Sequence, residues 1–140
     1  MIRHFDGVAE IVDDIKPALA FYRDTLGLEV TQQLGDDYAV IAMPGILHFA
    51  VWNRSHAALS TYGTREAADR IPLGFSVELE VDDLDAAAAA VAASGAKLVQ
   101  SPKLEPWGQK TSRMIAVGGS LLGLAETPWG RVLKREPEAG

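Results

Sequence analysis

The stretch "VDDIKPALAFYRDTLGLEV", residues 12–30, is answered further along the chain by "VDDLDAAAAAVAASGAKLV", residues 81–99. Each copy opens on a valine and two aspartates, runs through a helical pattern and reaches a glycine. In the first, Asp14 has the side chain of an N-cap, Pro17 is tolerated in the first turn, and Gly27 suits the left-handed residue that ends a helix. Ala18, Tyr22 and Leu26 recur at every fourth position with Phe21 and Thr25 beside them, which predicts one buried stripe. In the second copy Asp83 caps and Gly95 terminates, while alanines 86 to 90 favour helix and let a sheet approach closely. Val12 aligns with Val81 at an offset of 69 (81 − 12) and Gly27 with Gly95 at 68 (95 − 27), so one residue has slipped between the copies.

Strand patterns flank both helices. "GFSVELEV" alternates strictly, with Phe75, Val77, Leu79 and Val81 on a helix-covered face and Ser76, Glu78 and Glu80 on the other. "GVAEIV" before the first helix puts Val8 and Val12 on the helix side and Gly7, Ala9 and Ile11 opposite, which turns Glu10 toward the core. Further short strands are predicted at 28–33, 38–43, 47–52, 97–100, 110–116 and 121–126, punctuated by "LGDD", "MPG" and "VGGS". "LHFA" at 47–50 echoes "LGLA" at 122–125, an offset of 75 (122 − 47). The pattern therefore reads as an α+β protein of two βαβββ modules forming a curved mixed sheet, with the helices on its outer face, within a single domain, 1–140. The modules span 5–52 and 74–128, with a polar connector at 53–73 and a charged tail at 129–140. Two curved sheets, each covered by a helix on its outer face only, make a concave trough suited to a ligand; the alternative use of the open faces is packing on a second subunit.

Composition narrows the partners. The chain has 140 residues, no cysteine and a formal charge of −6. Thiolate chemistry, disulfides and thiolate zinc sites are thereby excluded. The acidic balance argues against nucleic acid, whose binding rests on clustered Lys and Arg. No run of about 18 apolar residues predicts a membrane span, and "MIRHFDG" lacks the pattern of a secretion signal, so the expected location is cytoplasmic.

The paired "VDDI…ALAFYRDTLGLEV" and "VDDLDAA…AASGA", with "PWGQ" at 106–109 and the closing "GSLLGLAETP", resemble the vicinal oxygen chelate superfamily, which contains glyoxalase I, extradiol dioxygenases and the bleomycin resistance proteins. The likeness spans Phe5 to Pro128. It implies four metal-ligand positions on the open faces, two lying seven residues before each capping aspartate and two on each module's last strand. Here they fall on Gly7, Ser76, His48 and Gly123. Neither glycine can ligate, and a divalent ion in an oxygen and nitrogen site needs about three protein ligands. His4 and His56 fall outside the motif. The resemblance is thus nearest to the metal-free, drug-binding branch, and implies no metal and no cofactor.

The trough faces are expected to present His48, Ala50 and Trp52 from one strand and Ser76, Glu78 and Glu80 from another, with Gly7 and Gly123 widening the floor. Two carboxylates would form an acidic wall for a cationic ligand. Trp52 and Trp107 offer stacking surfaces worth about 0.5–1.5 kcal/mol each beyond area burial. Trp129, in the charged tail, is given no role. The expected function is binding of an aromatic or cationic small molecule such as an antibiotic, for self-resistance by sequestration, in clefts that a homodimer assembles from modules of both subunits. The alternatives are a metal-dependent glyoxalase or dioxygenase relative, and a metal-free isomerase or cyclase with Glu78 as base and His48 as acid.

Overall fold

Both aspartates cap as expected. In the computed structural model, which describes residues 1–129, the Asp14 carboxylate accepts from the Lys16 amide at 3.0 Å and starts helix α1, Ile15–Ala20. Asp83 accepts from the Ala86 amide at 3.1 Å and starts α3, Leu84–Ala93. Gly27 and Gly95 close these segments at φ 70° and 83°. The buried stripe of the first helix differs from the expected one. Ile15, Leu19 and Tyr22 are buried, whereas Phe21 and Leu26 are half exposed. A wide π-helical turn over Phe21–Thr25 is the reason, because it rotates every residue after Ala20 away from a 3.6-residue repeat.

The eight strands are β1 (Ile2–Val12), β2 (Val30–Gln32), β3 (Tyr38–Ile41), β4 (Phe49–Asn53), β5 (Gly74–Val81), β6 (Lys97–Leu104), β7 (Lys110–Ile115) and β8 (Leu121–Glu126). They form one continuous mixed sheet, as expected of the two modules together, in the order β2-β3-β4-β1-β5-β8-β7-β6. Within each βαβββ module the first and last strands pair in parallel, β1 with β4 and β5 with β8, as a right-handed crossover requires. β1 and β5 then pair antiparallel along nearly their whole length, from Ile2 opposite Val81 to Ile11 opposite Gly74, and fuse the modules. Glu10 does face α1, and Tyr22 accounts for it: the phenol donates to the Glu10 carboxylate at 2.7 Å.

The ladders correct one alignment. Ala9 pairs with Ala50, and its counterpart Glu78 pairs with Gly123. The last strands therefore correspond at an offset of 73 (123 − 50) instead of 75, and Gly123 is the equivalent of Ala50, not of His48. The slip of two residues keeps each side chain on its face.

The connector, residues 53–73, carries structure that the sequence pattern did not announce: a helix, α2 (Arg54–Tyr62), followed by a 3₁₀ turn at Arg65–Arg70. Asn53 caps α2 through the Ser55 amide at 2.8 Å, and Gly63 ends it at φ 82°. Ala57 and Ala58 are fully buried against Ile11, Trp52, Ile71 and Leu121. This core lies on the face opposite α1 and α3, so α2 roofs one end of the trough. Not every helix is on the outer face. No helix among the described residues is long and apolar enough to cross a membrane.

Candidate ligand cavity

The remaining part of the trough is a cavity of about 660 Å³, lined from both modules of the one chain. Gly7, His48, Trp52, Ser76, Glu78, Trp107 and Gly123, all singled out from sequence, line it together. Ala50 does not: it is fully buried between Ala9 of β1 and Val40 of β3. Glu80 does not line it either. Its carboxylate accepts from the Thr127 amide at 2.6 Å and hydroxyl at 2.8 Å, so the chain after β8 folds over it. The acidic wall is thus carried by Glu78 and by Asp6, which sequence reasoning passed over. Since β1 and β5 pair within the chain, both modules of one subunit line the cavity.

The floor is set by a close approach. A Cβ on Gly7 would stand 2.6 Å from the His48 carbonyl oxygen and 2.9 Å from its Cβ, so no side chain fits there without moving β4. Gly123 is different, since a Cβ there would make ordinary contact with Glu78 at 3.5 Å. Ser76 spends its hydroxyl proton on the Leu121 carbonyl at 2.8 Å. The family's metal positions therefore offer two glycines, a committed serine and His48, whose Nε2 is hydrogen-bonded to the Tyr38 hydroxyl. Taking Ala50, the ladder equivalent of Gly123, in place of His48 leaves fewer donors still. This donor set does not fit a divalent ion, and among the described residues no group of three His, Asp or Glu is placed to hold one.

Two polar networks position the walls. On one side the Trp107 indole donates to Gln109 at 3.0 Å, and the Gln109 amide donates to Glu78 and to Thr127, both at 2.9 Å. Glu78 is thereby held facing the cavity beside an aromatic surface. On the other side Trp52 donates to His56 Nδ1 at 2.8 Å, with the Tyr38 ring edge-on to Trp52. Burial, the largest influence on His56, pushes its pKa below the ordinary value, which keeps Nδ1 available as an acceptor.

Behind Trp52 lies Arg113, which the sequence reading missed. It is buried, and its guanidinium carbon lies 5.1 Å from the Trp52 ring centre. Nη1 reaches Gln100 at 2.6 Å, Ser60 at 2.9 Å and Glu105 at 3.2 Å, and Glu105 also accepts from Ser60 and Thr111. Desolvation pulls the Arg113 pKa below its ordinary value, opposed by the charges of Glu105 and Glu78. A signal existed: in "KTSRMI" the arginine occupies a trough-facing position of a buried strand, directly opposite Gly123. Trp129 also lines the cavity, so it has a place in the site that the sequence reading denied it; the rest of the expected tail lies outside the described residues.

Known proteins agree with this architecture. A Streptomyces coelicolor methylmalonyl-CoA epimerase variant in complex with 2-nitronate-propionyl-CoA is 16% identical, with a TM-score of 0.63 over 95% of this chain and 100% of that one. A superfamily member from Vibrio splendidus 12B01 is 18% identical with a TM-score of 0.59, covering 91% of this chain and 100% of its own. A methylmalonyl-CoA epimerase in complex with methylmalonyl-CoA and NH4+ gives 17% and 0.60 over 91% and 96%. At these identities the likeness is one of fold. No curated protein matches by sequence. The Glyoxalase/Bleomycin resistance protein/Dioxygenase superfamily model matches residues 4–133, and the chain belongs to that superfamily.

Proposed function

We propose that the protein binds an aromatic small molecule in this cavity without a metal, as a sequestering protein of the antibiotic-binding kind. The observation that carries the reading is the substitution of the floor: the positions at which the superfamily would place metal ligands hold Gly7 and Gly123, while Trp52, Trp107, Trp129 and Tyr38 line the space around them. Neither glycine puts a side chain on the floor under a flat body, and indoles stack on such a body. Glu78 supplies a charged acceptor for an amine or hydroxyl on the ligand. Homodimerisation is part of the proposal, through the outer face where Phe5, Phe21 and Phe75 are 41%, 50% and 54% exposed.

Tryptophan fluorescence, read while chelator-treated protein is titrated with planar antibiotics and aromatic metabolites, tests this. Saturable quenching at micromolar ligand is expected, with Trp107→Ala weakening every planar ligand. Binding that needs stoichiometric zinc, nickel, iron or manganese would overturn the reading. A second reading is a metal-free isomerase, favoured by one observation: Glu78 of β5 pairs with Gly7, His48 just before β4 approaches the same glycine, and both line the cavity. Its mark would be solvent deuterium incorporated into a bound carbon acid, abolished in Glu78→Gln.

A further inference from the structure

Arginine carries five N–H donors in a rigid fork. Arg113 directs Nη1 at Gln100, Ser60 and Glu105, and among the described residues no acceptor is within hydrogen-bond reach of Nε or Nη2. Neither nitrogen is sealed in the core, since among the described residues the one sealed side-chain atom lacking a partner is Thr61 Oγ1. Arg113 lines the cavity, and with Nη1 occupied the Nε/Nη2 edge is the part of the fork left available to a ligand. Resting on the reading that the cavity takes an aromatic ligand, we infer that this ligand is an aromatic acid whose carboxylate docks on the Nε/Nη2 edge of Arg113.

Three features support the assignment. The parallel N–H groups of that edge match the two oxygens of a carboxylate. Glu105 sits on the Nη1 side and is 2% exposed, so the ion pair presents its positive end to the cavity and its negative end to the core. The carboxylates that line the cavity, Glu78 and Asp6, repel an anion from the floor, so among the described residues Arg113 is the favourable place for it. The charge preference is thus the reverse of the one the acidic strand face suggests.

Three probes with one ring system separate charge from stacking: 2-naphthoate, 2-naphthamide and 2-naphthylmethylammonium, titrated by tryptophan quenching and calorimetry at two salt concentrations. The expected order puts the carboxylate about tenfold or more ahead of the amide, the difference characteristic of a charge-assisted hydrogen bond. Arg113→Lys keeps a charge but loses the fork, and should erase most of that preference. Because changing Arg113 disturbs a buried pair, Glu105→Gln is the companion: it removes the neutralising partner, so 2-naphthoate should bind more tightly while the amide is unchanged. That gain cannot come from damage to the fold. If all three probes bind equally, or the ammonium leads, the carboxylate assignment is overturned while the aromatic reading stands. If none binds, both are overturned.

Discussion

Substituting Gly7 by alanine tests the geometry of the cavity floor with one methyl group. The added Cβ meets the His48 carbonyl oxygen at 2.6 Å and the His48 Cβ at 2.9 Å, and backbone cannot swing aside as a side-chain tip would. β4 must move away from β1, and the bond from the Val8 amide to the same carbonyl, 3.0 Å long, is strained or lost. Overpacking of this kind costs about 1–3 kcal/mol, and the weakened backbone bond adds about 0.5–1.5 kcal/mol. Stiffening of the unfolded chain returns about 0.4–1 kcal/mol. Taken at their midpoints these give a net loss of roughly 2 kcal/mol, equivalent to a fall in Tm of about 8 °C for a domain of this size. Gly123→Ala is the internal control, because its Cβ finds only ordinary contact at 3.5 Å; it should melt within about 2 °C of the wild type. Circular dichroism melts of the three proteins decide the matter. A Gly7→Ala protein as stable as Gly123→Ala would refute the close approach, and with it the claim that this position is closed to a metal-binding side chain.

Other outcomes follow from individual contacts. His56 is held neutral below its ordinary pKa of 6.5, so the fold loses stability as pH falls through and below that value, where only the unfolded chain readily takes the proton; His56→Gln should flatten this part of a Tm-against-pH curve. Tyr22 is shifted in the opposite sense, its phenol pushed well above 10.0 first by burial and then by Glu10. Its contribution is therefore full below pH 10 and declines above it, and Tyr22→Phe should cost about 0.5–1.5 kcal/mol at neutral pH while removing that alkaline loss, as read by urea unfolding. The proposed dimer should appear by light scattering at micromolar concentration, and Phe75→Glu should leave a folded monomer; a wild-type monomer would remove the dimer from the proposal.

How much of this could be read from the sequence depends on how local each cause is. The two helix starts were legible because an Asx cap is decided within three residues, at Asp14 and Asp83. So was the facing of β5, since strict alternation fixes a strand's two sides. Glu80 shows the limit of that rule. Alternation places it correctly on the trough face, but only the tertiary course of the chain after β8 lays Thr127 across it. The helix in the connector went unread because Ala57 and Ala58 carry almost no hydrophobic signal. They are buried for being small enough to let α2 lie against Trp52 and Ile71. Arg113 was overlooked for a similar reason: its partners come from three separate segments, at Ser60, Gln100 and Glu105, and no spacing in the sequence brings them together.

A buried ion pair is a poor source of stability, because desolvating two charges offsets most of their attraction. The Arg113–Glu105 pair is therefore better explained by what it positions. Ser60 of α2 stands between the partners, accepting from Arg113 and donating to Glu105, and its carbonyl takes the Lys103 ammonium as well. Farther along, Arg54 holds the Ile71 carbonyl at 2.8 Å, and Arg65 grips both oxygens of Asp37 at 3.0 and 2.7 Å, tying the connector to the turn before β3. The roof of the cavity is fixed at several points by directional bonds, whereas the alanines beneath it supply little apolar area. Such a roof has one seating over the sheet. The same pair that fixes Ser60 leaves the other edge of the Arg113 fork facing the ligand space, so the anchoring of α2 and the charge of the cavity depend on the same residues. In a superfamily whose sheet can be furnished with a metal, this chain has closed its floor with Gly7 and supplied its positive charge from the side wall.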